Sequence, residues 1–157
     1  MTSQLGASLL QNVYLFKELN QDELEKVASV SRVQAYNPGD EIFAEGTRAE
    51  AIYIIKYGSV KIQHSGREEL VDVATLGTGS HFGEMAFVDG EARSASVIAM
   101  EKTEIVSIEF ADLKKVLDDN MAIAVKVYKA FAHFLCGRLR ITTNDLTFAR
   151  EKNLRHF

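Results

Sequence analysis

Phe82-Gly83-Glu84-Met85-Ala86 and, nine positions after Glu84, Arg93-Ser94-Ala95 set four complementary groups on one short stretch of a 157-residue chain. Gly83 lets the backbone approach a ligand closely. The residues that follow, Met85 and Ala86, can open a helical turn whose free N–H groups face an anion. Arg93 carries a planar fork that matches two phosphate oxygens. Glu84 cannot bind a phosphate, so in the same pocket it must accept hydrogen bonds, and a ribose hydroxyl is the donor that fits. Ser94 adds a hydroxyl and an N–H beside Arg93. The set suits a ligand with both an anionic phosphate and a sugar hydroxyl. Its plain alternative is a surface hairpin in which Glu84 and Arg93 form an ordinary, weak ion pair.

Elements that would position these residues are legible on both sides. Two short helices are predicted within residues 1–37, the second opened by a capping box, Asn20-Gln21-Asp22-Glu23, ahead of Leu24, Val27, Ala28 and Val30. Pro38-Gly39 breaks helical structure. From Asp40 to about Phe110 the apolar period shortens to two. Ile52, Ile54 and Val60, Ile62 alternate with their neighbours, while Gly58, Ser65-Gly66, Gly77 and Gly79 punctuate the runs. Val97–Met100 and Ile105–Ile108 supply two more strands. The pattern predicts an α+β chain: an antiparallel β-roll (a double-stranded β-helix or jelly roll) over 38–110, flanked by N-terminal helices and by C-terminal helices over 111–157.

The last helix is the longest. Ala111–Leu117 reads as a short helix, and Asp118-Asp119-Asn120 offers caps for a second from Met121 to Asn153 without a proline. At 1.5 Å per residue that second helix reaches roughly 50 Å, more than a small roll can bury. Tyr128, Ala132, Leu135, Leu139, Thr142, Leu146 and Ala149 follow a 4-3 spacing, a heptad seam. Val127, Phe131, Phe134 and Phe148 lie on a neighbouring face, available to the roll. Two apolar stripes predict two partners, the roll and a second copy in a parallel homodimer through 121–153. The alternative for the seam is packing against the N-terminal helices.

Composition narrows the class. Apolar residues make up 46% and charged residues 25%, the profile of a soluble globular chain. No apolar run approaches the ~20 residues that span a bilayer. Met1-Thr2-Ser3-Gln4 lacks the basic and apolar regions of a signal peptide, so a cytoplasmic location without membrane contact is expected. Eighteen basic against twenty-two acidic residues argue against a general nucleic-acid surface. The single Cys136 excludes an internal disulfide and is expected to be a buried, inert thiol.

The run Gly79-Ser80-His81-Phe82-Gly83-Glu84-Met85-Ala86-Phe87 with Arg93-Ser94-Ala95 resembles the phosphate-binding cassette of cyclic nucleotide-binding domains, here 79–95. Pro38-Gly39-Asp40 with Glu45-Gly46 is similar to the family's early strand and turn, and Tyr53-Ile54-Ile55 through Gly58-Ser59-Val60 to its central hairpin. The likeness runs from about Val13 to Leu146 and implies that 1–157 is a single such domain. It implies a pocket formed by Phe82, Gly83, Glu84, Met85, Ala86, Arg93 and Ser94. Arg138-Leu139-Arg140-Ile141-Thr142-Thr143 resembles the long helix of the family's catabolite-activator branch, in which two hydroxyl residues reach the adenine, one from the partner subunit. Carried over, Thr142 and Thr143 become base contacts and Arg138 a weaker candidate near the ligand. Thr142 reads equally well as a polar residue that sets register. Val73 would line the sugar side, and reads equally well as strand core.

The implied ligand is a 3′,5′-cyclic nucleotide. Eukaryotic members selective for cyclic GMP commonly carry Thr after the cassette Arg; Ser94 there, with Thr142 and Thr143, favours cyclic AMP and leaves cyclic GMP open. In the transcription-factor branch a helix-turn-helix follows the long helix. With the sequence ending at Phe157, the expectation is a stand-alone sensor without DNA-binding, kinase or channel output. It would signal through the long helix and dimer interface to an unknown downstream protein. The tail from Arg150 to His156 reads as a solvated helix end. Two other classes compete. A roll can house a cupin-type metal enzyme, but His64, His81, His133 and His156 lack metal-ligand spacing and no catalytic set can be argued, so neither metal nor catalysis is expected. A ligand-free roll could also serve only to dimerise or dock a partner.

Overall fold

A computed structural model describes residues 2–154. Its strands are β1 (Ser31–Tyr36), β2 (Glu41–Phe43), β3 (Ala51–Tyr57), β4 (Ser59–Ser65), β5 (Leu70–Gly77), β6 (His81–Phe82), β7 (Ser96–Ala99) and β8 (Thr103–Glu109). They form two four-stranded antiparallel sheets, ordered β1-β8-β3-β6 and β2-β7-β4-β5. Side chains that alternate along β3 and β8 serve two cores. Ile55, Val60, Phe82, Val97 and Ile105 fill the interior of the roll. Ile52 and Ile54, paired with Ile108 and Val106, face the helices instead. The predicted antiparallel roll with flanking helices is the observed fold.

The helices are α1 (Thr2–Gln11), α2 (Gln21–Ala28), α3 (Met85–Asp89), α4 (Phe110–Asp119) and α5 (Met121–Leu154), with a 3-10 turn at Tyr14–Phe16. Leu10, Phe16 and Leu24 meet Leu113, Leu117, Ile123, Val127 and Phe131 in one buried cluster, which seats α1, α2, α4 and the first half of α5 on the sheet. The capping box is present in both directions. The Glu23 N–H donates to Asn20 Oδ1 at 2.9 Å, and the Asn20 N–H donates to Glu23 Oε1 at 2.9 Å. Lys126 Nζ also donates to Glu23 Oε1, at 2.7 Å, and so ties α2 to α5. The Asn20 N–H first, then Lys126, holds the Glu23 carboxyl below its ordinary pKa.

Three sequence expectations need correction. The helical region does not extend to 37: β1 pairs with β8 from Ser31 opposite Ile108 to Tyr36 opposite Thr103, so the roll begins at Ser31. Phe148 does not pack on the roll, because α5 leaves it after half-buried Phe134 and Leu135; Phe148 is 67% exposed. Cys136 is exposed for the same reason. Residues 136–153 are all exposed, apolar seam positions included. Arg155 and His156, part of the expected helix end, lie outside the described residues.

Candidate functional site

One short segment, from β6 into α3, carries most of the site. The two residues of β6 pair with β3, Phe82 opposite Tyr53 and His81 opposite Ile54. The pleat sends Phe82 into the roll interior and His81 towards Phe134 of α5, whose ring centroid is 4.6 Å from the imidazole's. Gly83 then turns the chain at φ +79°. A β-carbon at that position would stand 2.8 Å from Arg93 Nη1, so both conformation and space require glycine. Glu84 is the N-cap of α3, which Gly90 ends in the left-handed conformation at φ +71°. The N–H groups of the first turn lack intrahelical acceptors, apart from Phe87, which bonds the Glu84 carbonyl oxygen at 3.1 Å.

Arg93 is 5% exposed and Glu84 3% exposed. The exposed surface pair that the sequence also allowed is therefore excluded. Arg93 is pinned along its backbone: its N–H donates to the Thr47 carbonyl at 2.9 Å, and its carbonyl accepts from the Gly46 N–H at 2.8 Å. Its fork is engaged too. Nη1 donates to the Gly83 carbonyl at 2.8 Å and Nη2 to the Ala51 carbonyl at 2.6 Å. The guanidinium carbon lies 4.0 Å from the Phe43 ring centroid, a cation–π contact. Burial pushes the guanidinium below the ordinary arginine pKa, with Tyr53 and Glu84 opposing that shift. An arginine so placed still keeps its charge. Glu84 makes no ion pair with Arg93; its neighbour is His81, with Nδ1 3.5 Å from Glu84 Oε2.

These groups enclose a cavity of about 380 Å³, within the range of small-ligand pockets. Of the sequence candidates, Val73, Phe82, Gly83, Glu84, Met85, Ala86, Arg93, Ser94 and Arg138 all line it. Val73 is 61% exposed on β5, which rules out the strand-core alternative. Ser94 is exposed, and its carbonyl oxygen lies 3.1 Å from His64 Nδ1, itself 2.6 Å from Glu45 Oε1. Thr142 and Thr143 are not brought to the cavity of the single chain; both are exposed further along α5. Sequence reasoning missed His64 and His81 as lining residues. For His81 the signal was its place three residues before Glu84 on the same short segment.

A glycine constrained twice gives a direct test. Gly83→Ala is expected to lower stability by about 1–3 kcal/mol, through the left-handed backbone and the contact with Arg93. A urea midpoint equal to the parent's would show that neither constraint operates.

The family model for the cyclic nucleotide-binding domain matches residues 33–120, and the chain belongs to that family. It is 35% identical over 96 residues to cGMP-dependent protein kinase 2 of Homo sapiens, covering 60% of this chain and 13% of the kinase. It is 32% identical over 106 residues to the cAMP-dependent protein kinase type II regulatory subunit of Drosophila melanogaster, covering 68% of this chain and 28% of that one. The chain thus spans less than a third of either relative's length. Among solved structures it is similar to the Thermus thermophilus catabolite activator protein, with a TM-score of 0.77 and 29% identity over 86% of this chain and 62% of that one. A cyclic nucleotide-binding domain from Methylobacillus flagellatus shares the fold, with a TM-score of 0.79 and 22% identity over 91% of this chain and 81% of that one.

Proposed function

We propose that this chain binds a 3′,5′-cyclic nucleotide, cyclic AMP ahead of cyclic GMP, as a regulatory module and not as a catalyst. The observation that carries the reading is a buried cation and a buried acid on the wall of one cavity, held apart from each other. Arg93 suits the cyclic phosphate and Glu84 the ribose 2′-hydroxyl. The Arg93 fork would exchange its hold on the Gly83 and Ala51 carbonyls for phosphate oxygens, a charge-assisted contact of about 1.5–3 kcal/mol. Glu84 would supply selectivity, because a ligand without the hydroxyl leaves a buried carboxylate unsatisfied.

The preference for cyclic AMP rests on Ser94 after the cassette arginine, with Thr142 and Thr143 as base contacts. Because both threonines stand away from the single chain's cavity, we assign them to a homodimer in which one α5 completes the other's pocket. The two relatives named above carry cGMP in one name and cAMP in the other, so they do not decide the base. Ligand binding would shift the population of α5 arrangements and alter a surface read by a downstream protein. Among the described residues, no helix is long and apolar enough to cross a membrane. Among them no group of three or more His, Cys, Asp or Glu residues is placed to hold a metal ion.

A competition titration with cyclic AMP, cyclic GMP and 5′-AMP tests this directly. Cyclic AMP is expected to bind most tightly and 5′-AMP, with an open phosphate, to compete poorly. Equal binding of 5′-AMP would turn the site into a general nucleotide pocket, and no binding of either cyclic nucleotide would leave the roll as an interaction module.

A further inference from the structure

We propose that His81 is a positioning residue for Glu84, and thereby sets how strongly the pocket selects a ligand bearing the ribose 2′-hydroxyl; this rests on the cyclic-nucleotide reading above. Two buried side-chain nitrogens lack a hydrogen-bond partner among the described residues, His81 Nδ1 and Arg93 Nε. Both belong to the wall of the same cavity. Leaving such an atom unpaired has a free-energy cost, and a site that keeps one commonly uses it.

His81 Nδ1 is aimed at Glu84. Its side chain is 6% exposed, and the 3.5 Å from Nδ1 to Glu84 Oε2 exceeds a normal hydrogen bond by a few tenths of an ångström. A small rotation of the glutamate closes that gap. A carboxylate has acceptor capacity on both oxygens, so one can take the ribose hydroxyl while the other takes an imidazole N–H. An acid held at its far oxygen is a fixed acceptor, and a fixed acceptor discriminates better between ligands with and without the hydroxyl.

The imidazole has little freedom to turn away. Its backbone pairs with Ile54 in β3, and its ring lies against Phe134 at a tilt of 54°. The same ring therefore touches the sugar-binding acid on one side and α5 on the other. Ring packing and N–H donation are separable, and that separation is the test.

Dissociation constants for cyclic AMP and 2′-deoxy cyclic AMP are measured on the parent, His81→Phe and His81→Asn. Phenylalanine keeps a ring against Phe134 and removes the donor; asparagine keeps a donor near the Nδ1 position and removes the ring. The parent should favour cyclic AMP. In His81→Phe the preference for the 2′-hydroxyl should fall about three- to tenfold, the contribution of one hydrogen bond, chiefly by weaker cyclic AMP binding. In His81→Asn the preference should stay near the parent's. A parent-like ratio in His81→Phe, or an equal fall in both variants, overturns the proposal. So does a lowered ratio in His81→Asn alone, should the phenylalanine variant not fold. A parent that binds neither cyclic nucleotide removes the functional reading itself and this proposal with it, an outcome distinct from a parent that binds and variants that do not differ.

Discussion

Arg93→Ala is expected to weaken cyclic AMP binding by about 2–5 kcal/mol, the range for truncating one partner of a desolvated charge contact. That corresponds to a loss of roughly thirtyfold to several thousandfold. The structure adds a second consequence. The Arg93 fork joins the carbonyls of Gly83 and Ala51, 10 and 42 residues away in sequence, and its guanidinium lies over Phe43. Alanine removes both donors and leaves the Gly83 and Ala51 carbonyls without them, so stability should also fall, by about 1–3 kcal/mol. The two losses separate experimentally. Calorimetry at a temperature well below the variant's unfolding midpoint reads binding, and urea unfolding reads the scaffold. Arg93→Lys sharpens the distinction: it keeps the charge but cannot bridge two oxygens with one planar group. It should bind more tightly than the alanine variant and less tightly than the parent. An alanine variant that is folded and binds cyclic AMP as the parent does would strip Arg93 of its role.

The contrast between these carbonyls and the expected phosphate shows where sequence reading reaches its limit. That Gly83, Glu84, Arg93 and Ser94 share one cavity could be read because they are close in the chain and differ in chemistry. What Arg93 holds depends on Ala51, a strand away, and no local pattern carries that. The sheet was legible where strands carry apolar residues to a core. In β3, Ile52 and Ile54 meet the helices while Tyr53 and Ile55 meet the roll interior. β1 lacked that signal, since its four central residues, Arg32 to Ala35, are all exposed and impose no apolar period. The capping box at Asn20 was readable because both its bonds are made within four residues. Along α5 a 3.6-residue period shows which face is apolar, but not how far the roll extends. Phe148 and Cys136 were misassigned for that reason.

That uncovered half of α5 carries the other large prediction. Leu139 is 66% exposed and Leu146 52% exposed, with Tyr128 at 47% on the same seam. A row of exposed apolar side chains along one helix marks an interaction surface, and the 4-3 spacing fits a second copy of the same helix. The double substitution Leu139→Asp and Leu146→Asp should therefore yield a monomer. In a twofold pair it alters four buried positions, each leucine contributing about 1.5–3 kcal/mol. The combined loss of about 6–12 kcal/mol exceeds a ten-thousandfold shift in the association constant. Sedimentation velocity at micromolar concentration reads the result. A parent that sediments as a monomer would remove the dimer from the proposal, and a variant that stays dimeric would move the contact off this seam. The same variant also tests the assignment of Thr142 and Thr143. Neither threonine lines its own chain's cavity, whereas Glu84 and Arg93 do. If a second copy supplies the base contact, the monomeric variant should retain recognition of phosphate and sugar while losing preference between cyclic AMP and cyclic GMP. Base preference that survives in the monomer would place base recognition within one chain and separate it from dimerisation.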